Sequence, residues 1–240
     1  MRTRLTRVVV SLIVALACSS VAHAQAPRPD LSGIWQKTGG GQGLMDGEPP
    51  MTTWGLEKYA LARPIHGPRT VPPQESTAAE LRCLPMGIPG VYFRPRTFEF
   101  VQNPSRTIML FEVDHLWRQI HMDGRGFPDA ALDTWMGYSI GRYEGDTLVV
   151  ETRYFKGWEE NAQRWLDRLG HPFSDQLQVT ERFRRVDATT LENQITITDP
   201  VAYTKPWNAK MMYRTRDFEM GEFICQELML SDLPDMRPDK

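Results

Sequence analysis

The chain has 240 residues, of which 24% are charged and 41% hydrophobic, and its formal net charge is −2. This composition is typical of one globular domain and excludes a disordered, collagenous or coiled-coil chain. Because the chain has no basic excess, we expect no nucleic-acid partner. Eighteen glycines and eighteen prolines favour strands and loops over long helices.

The first 24 residues have the pattern of a secretory signal peptide. Three arginines precede an apolar run over 8–17, and Ala22-His23-Ala24 fits a small-residue cleavage site. Cleavage after Ala24 predicts a periplasmic or secreted protein, and lipoprotein processing at Cys18 is the alternative. No later apolar run approaches 18 residues, so we expect no membrane span in the mature chain.

The mature chain keeps two cysteines, Cys83 and Cys225. Two cysteines in an oxidising compartment often pair, which predicts a disulfide between them. Two buried free thiols are the alternative. A zinc site is disfavoured because the chain has no CxxC motif.

The segment 25–95 is rich in glycine and proline, and we interpret it as an irregular covering segment. Eleven prolines and ten glycines lie within 27–95, which excludes long regular elements. Short helical turns are predicted over 54–63 and 77–83. The run 38–43, TGGGQG, lacks the following Lys and Ser or Thr of a phosphate-binding loop, so it predicts a flexible loop.

A strand-rich core over 96–230 follows. Its predicted strands cover 96–102, 106–113, 115–122, 138–143, 147–154, 176–186, 191–198, 210–219 and 222–230. Short turns between them are typical of antiparallel hairpins, and apolar residues at helical spacing predict a helix over 158–169. Since closure removes exposed edges, the predicted fold is mainly β: one antiparallel β-barrel domain over 25–240 with one or two short helices.

The first strand is predicted to open at Gly33-Ile34-Trp35. This triplet resembles the Gly-x-Trp signature of lipocalins and other calycin barrels. The resemblance implies that Trp35 closes one end of the barrel and that a late-strand arginine, Arg214 or Arg216, packs over it. An ordinary strand start with a core tryptophan is the alternative.

A longer resemblance involves the block 135–152, WMGYSIGRYEGDTLVVET. Together with 118–125, RQIHMDGR, and a late pair, Cys225 and Glu227, it resembles a large family of uncharacterised exported proteins of Gram-negative bacteria. The resemblance covers about 31–230. It implies export and a shared fold, and it implies no activity.

One position departs from the family pattern, because Phe127 stands where the family often has His. Any chemistry of that histidine is therefore altered in this chain. Within the block, Glu144 and Asp146 flank Gly145 between two predicted strands, and turn formation is favoured over catalysis there.

His121 and Asp123 are the best candidates for proton transfer. Two positions apart on a strand, they project from one side about 7 Å apart, and Arg125 lies on the following loop. A histidine near a carboxylate suits acid–base catalysis near neutral pH, and a hydrogen-bonded structural histidine is the alternative. His115 lies too far along the same strand to share a metal with His121, and no HxH or HExxH motif occurs, so we predict no metal.

Several polar residues share strand faces with apolar neighbours and are predicted to point into the barrel. Arg118, Glu112 and Glu181 either form a buried ion-pair cluster or line a pocket for a polar ligand group. The tryptophans belong to the core or line a ligand cavity. The predicted ligand-binding set is Arg118, Trp117, Trp135, Glu112, Glu181 and His115.

These observations favour an exported barrel that binds a small, largely apolar or aromatic molecule. The alternative is a cofactor-independent isomerase, hydratase or lyase that uses His121 and Asp123, helped by Arg118 or Arg125. A third hypothesis is a structural envelope component without a ligand. No serine-hydrolase, dinucleotide or haem motif occurs, so we expect no cofactor.

Overall fold

The computed structural model describes residues 28–160 and 163–226, and the nine strands within them form one closed barrel. The strands are β1 (Gly33–Lys37), β2 (Thr97–Gln102), β3 (Arg106–Phe111), β4 (Trp117–His121), β5 (Tyr138–Glu144), β6 (Thr147–Arg153), β7 (Gln178–Arg185), β8 (Thr190–Thr198) and β9 (Trp207–Arg216). The mainly β barrel is therefore confirmed. The predicted signal peptide lies outside the described residues.

The last predicted strand, over 222–230, is wrong in the part that the structure describes. There Phe223 forms a single parallel bridge with Val113 instead of a strand. The remaining positions, 227–230, lie outside the described residues. The other eight predicted runs correspond to β2 to β9 with small shifts at their ends.

Neighbouring strands are antiparallel around the ring, and β1 closes it by pairing with β9, but β4 and β5 are parallel. An odd number of strands cannot alternate direction all the way round a ring, so one parallel pair is unavoidable. The expectation of a wholly antiparallel barrel is wrong at this seam. The connection over 122–137 replaces a tight hairpin there, as a parallel pair requires.

The barrel interior is packed with aromatic side chains. Tyr92 enters it from a 3-10 turn, Gly90–Phe93, and its ring centroid lies 5.7 Å from that of Phe98 and 5.9 Å from that of Tyr213. These rings and Phe183 are buried. The covering segment thus fills part of the barrel as well as wrapping it, so a ligand on the described barrel must bind away from these rings.

Trp35 is fully buried and donates its indole N–H to the carbonyl of Leu31 at 2.9 Å. The guanidinium that packs over its ring, at 5.3 Å from the centroid, belongs to Arg185 of β7. The expectation of Arg214 or Arg216 is wrong. Trp35 pairs with Thr215, so both flanking arginines of β9 project from the opposite face of the strand.

The covering segment contains the helix α1 (Thr53–Leu61), which confirms the helical turn predicted over 54–63. The hydroxyl of Thr52 caps it by accepting from the backbone N–H of Gly55. A Cβ at Gly55 would meet the carbonyl oxygen of Ala202 at 2.3 Å, so glycine allows the helix to approach the barrel. The turn predicted over 77–83 forms as a 3-10 helix, Ala79–Arg82.

The helix predicted over 158–169 is wrong for the residues there that the structure describes, which form turns and a bridge between Trp165 and Pro172. The Asp167 carboxylate accepts from the backbone N–H of Leu169, and the N–H of Leu166 donates to the carbonyl of His171. A side chain that bonds to nearby backbone groups in this way competes with helix formation.

Cys83 and Cys225 form the predicted disulfide, with their Cα atoms 5.4 Å apart. The bond ties the covering segment to the chain beyond β9, across a sequence separation of 142 residues. No helix among the described residues is long and apolar enough to cross a membrane.

Candidate functional site

A groove lies beside the parallel pair of strands β4 and β5, which we call the seam. Only two residue pairs join β4 to β5, Ile120 with Ser139 and His121 with Ile140. A groove of about 430 Å³ lies beside this short ladder, and we call it the seam groove. Its mainly apolar and aromatic lining includes Pro85, Leu116, Trp117, His121, Trp135, Met136 and Tyr138.

Four residues predicted to bind a ligand or act in catalysis meet in this groove, namely Trp117, Arg118, His121 and Trp135. Trp117 is 58% exposed, which is unusual for a large apolar side chain. Trp135 lies under the guanidinium of Arg164, at 4.3 Å from the ring centroid. One indole is therefore held in place by a cation, and the other is free to contact a ligand.

His121 forms part of the groove wall and stacks on Tyr138, with ring centroids 4.9 Å apart. The side-chain nitrogen of Gln119 lies 3.2 Å from Nδ1 of this imidazole. Burial and the positive charge of Arg125 lower the pKa of His121, while Asp123 opposes that shift. The lowered pKa favours the neutral imidazole at pH 7, in which Nδ1 accepts from the Gln119 amide and Nε2 carries the proton.

Asp123 is already engaged by Arg125. The Nε of Arg125 lies 2.8 Å and 3.0 Å from the two carboxylate oxygens, and Nη2 lies 2.5 Å from Oδ2. These hydrogen bonds hold the pKa of Asp123 at about 2. Among the described residues no hydrogen bond joins Asp123 to His121, so the predicted acid–base pair is not assembled in this structure.

The predicted inward direction of Arg118 is confirmed, because its side chain is 1% exposed and pairs with Glu181 at 2.6 Å. The guanidinium also donates to the hydroxyls of Ser139, Thr152 and Tyr92 at 2.7 to 3.1 Å, and to a sulfur. Burial alone would lower the pKa of Arg118, but the adjacent Glu181 raises it. Four hydrogen bonds and the ion pair with Glu181 therefore hold the guanidinium, and its charge is paired within the protein.

Two other predicted site residues lie apart from this network. The carboxylate of Glu112 accepts from the backbone N–H and hydroxyl of Thr97, and it lies 3.7 Å from Arg96. The predicted cluster of Glu112 with Arg118 and Glu181 is therefore wrong, because Glu112 lies at the end of β3, where it bonds β2. His115 occupies an exposed turn with positive φ, outside the seam groove.

A second titratable cluster was not predicted from the sequence. His171 is buried, with Nδ1 2.6 Å from Asp167 and Nε2 3.1 Å from Glu48, and its ring stacks on Tyr59. Burial lowers the pKa of His171, but the hydrogen bonds to both carboxylates outweigh it and raise the pKa overall. Glu48 precedes His171 by 123 residues, so no local spacing could have revealed the contact.

Among the described residues no group of His, Cys, Asp and Glu is placed to hold a metal ion. Comparison with protein-family models, with curated proteins and with solved structures gives no match for this chain.

Proposed function

We propose that this protein is an exported periplasmic binding protein whose seam groove takes a small, largely apolar or aromatic molecule. The exposed indole of Trp117 beside the stacked His121 and Tyr138 rings carries this proposal. The volume of the seam groove, about 430 Å³, falls within the usual range of small-molecule sites.

The polar groups of the groove support an apolar ligand with few hydrogen bonds. Arg118 is paired with Glu181 and Asp123 is paired with Arg125, so neither offers an unpaired charge to a ligand. The neutral imidazole of His121 is left as a polar contact for one end of the molecule. Flat aromatic walls with one or two polar contacts are typical of sites that orient a small ring system.

Export is supported by three observations. The N-terminal 24 residues match the signal-peptide pattern, the chain resembles an exported family, and Cys83 is bonded to Cys225. Structural disulfides persist mainly in oxidising compartments such as the bacterial periplasm.

A cofactor-independent isomerase, hydratase or lyase is the second candidate. One observation favours it: His121 lies in the groove wall and is neutral at pH 7, as a general base must be. The engagement of Asp123 by Arg125 weighs against it, because the second member of the acid–base pair is occupied. This enzyme would lose turnover in His121→Gln while keeping its melting temperature.

The test is fluorescence titration of the mature protein with N-phenylnaphthylamine, an uncharged aromatic probe. We expect one probe per chain, and we expect Trp117→Ala to weaken binding about tenfold because the exposed indole supplies much of the contact area.

The matched control is Phe218→Ala, which removes another aromatic side chain, 52% exposed, from outside the groove. It should leave the affinity unchanged. Absence of binding to the wild-type protein, or an equal loss in both variants, would contradict a ligand site at the seam.

A further inference from the structure

A larger groove of about 720 Å³ lies against β8 and β9, four strands around the ring from the seam groove. Its outer wall is the glycine-rich loop over 38–46, and we call it the loop groove. The loop groove and the seam groove are separate, because they share no lining residue.

The floor of the loop groove is a polar face of the sheet. Arg182 pairs with Gln194, and Gln194 pairs with Lys210, so the three form one row across β7, β8 and β9. Thr196 and Asn208 form the next row. Side chains two positions apart share a face, so both rows line the same groove. Within these rows Thr196 donates its hydroxyl to Asn208, and one N–H of Gln194 donates to Glu192.

Lys37 supplies a third cation from the end of β1. Its Nζ donates to the carbonyls of Gly39 and Gly41 at 3.2 and 2.9 Å, and it lies 5.3 Å from the centre of the Phe93 ring. No carboxylate of the described residues lies within 4.0 Å of it. Burial and the charge of Arg168 lower the pKa of Lys37, as expected for a half-buried cation without a counter-ion.

The acidic residues near this groove do not neutralise Lys37. Glu144 pairs with Arg182 at 2.9 Å, and Glu192 pairs with Lys210 at 3.3 Å. Asp46 is the one acidic residue among those that line the groove, and it is exposed. Arg182 and Lys210 are therefore paired, and Lys37 is the cation of the described lining that has no carboxylate within 4.0 Å.

The outer wall is held in place before any ligand arrives. The backbone N–H of Leu44 donates to Asp167 at 3.1 Å, and the N–H of Arg168 donates to the carbonyl of Gln42 at 3.0 Å. Half-buried Met45 and Met212 add apolar contact surface to the lining. A preformed groove avoids the entropy cost of ordering the loop on binding.

We propose that the loop groove binds an organic carboxylate, with the carboxylate at Lys37 and the apolar part of the molecule along Met45 and Met212. The charge of the ligand replaces the counter-ion that Lys37 lacks, and Gln194 and Asn208 supply further donors at the sheet face. This site is independent of the seam groove and of its ligand.

The experiment is isothermal titration of the mature protein with octanoate, benzoate and octanamide. We expect at least one of the two carboxylates to bind, octanamide to bind at least tenfold more weakly than octanoate, and Lys37→Met to weaken carboxylate binding at least tenfold. Lys58→Met, which removes a half-buried lysine of α1 outside the groove, should leave the affinity unchanged.

The double variant Arg182→Gln/Lys210→Gln tests the sheet face without touching the loop. It should weaken binding several-fold while the melting temperature stays within a few degrees of the wild-type value. If neither carboxylate binds, if octanamide binds as well as octanoate, or if Lys37→Met and Lys58→Met behave alike, the proposal is wrong.

Discussion

The polar side chains on the two faces of strand β4 have different surroundings. Arg118 points inward, where it forms an ion pair with Glu181 and donates hydrogen bonds to Ser139 and Thr152. Gln119 and His121 of the same strand point outward. His121 lines the seam groove. Inside the barrel the charge of Arg118 is paired with a protein carboxylate, whereas on the outer face Gln119 and His121 contact each other and His121 borders the seam groove.

The largest effect is expected from breaking the inner network with Arg118→Leu. Loss of the guanidinium leaves Glu181 buried without a counter-ion, which should lower the free energy of unfolding by about 4 kcal/mol. Chemical denaturation measures this loss, and Arg106→Leu, an exposed arginine of β3, is the control. The double variant Arg118→Leu/Glu181→Leu should recover part of the loss. A loss below about 1 kcal/mol would contradict a stabilising role for the Arg118–Glu181 pair.

The buried histidine should show the next largest effect. His171→Gln removes hydrogen bonds to Asp167 and Glu48, and we expect a loss of about 2 kcal/mol at pH 6. Since folding raises the pKa of His171, its stabilising contribution is complete below pH 6.5 and is lost as the pH rises through the folded pKa. The difference in the free energy of unfolding between wild type and variant should therefore shrink between pH 6 and pH 9. A difference that grows over this range would contradict a raised pKa of His171 in the folded protein.

His121, the half-buried histidine of the seam groove, should show the smallest effect and the opposite pH dependence. His121→Gln should change the free energy of unfolding by less than about 0.5 kcal/mol, as is usual for surface substitutions. Because folding lowers the pKa of His121, its contribution is present above pH 6.5 and is lost as the pH falls. Denaturation of both histidine variants across pH 5 to 9 gives the comparison. If the effects of the two substitutions on the free energy of unfolding changed with pH in the same direction, the distinction between the two histidines would be wrong.

The strand pattern, and the inward face of β4, could be predicted from the sequence. The inward face of β3 could not, because the buried residues there are Thr107, Met109 and Phe111 instead of the face that includes Ile108 and Leu110. Alternation along 117–121 assigns Arg118 and Ile120 to one side and His121 to the other, and the structure confirms this division. Side chains alternate between the two faces of any β-strand, so this alternation does not depend on how the other strands are arranged. The disulfide was also predictable, since only one pairing exists for the two cysteines that follow the predicted signal peptide.

The partners across the barrel could not be predicted. Arg118 and Glu181 lie on β4 and β7, and Arg185 reaches the Trp35 ring from β7, because ring closure and strand register bring them together. The parallel seam follows from the strand count of the closed ring, and the seam groove follows from the seam. At Asp167, a side-chain bond to the backbone replaced the predicted helix. Local sequence thus determined the alternation of side chains along each strand, and the closed barrel decided which face points inward on β3 and which inward residues meet.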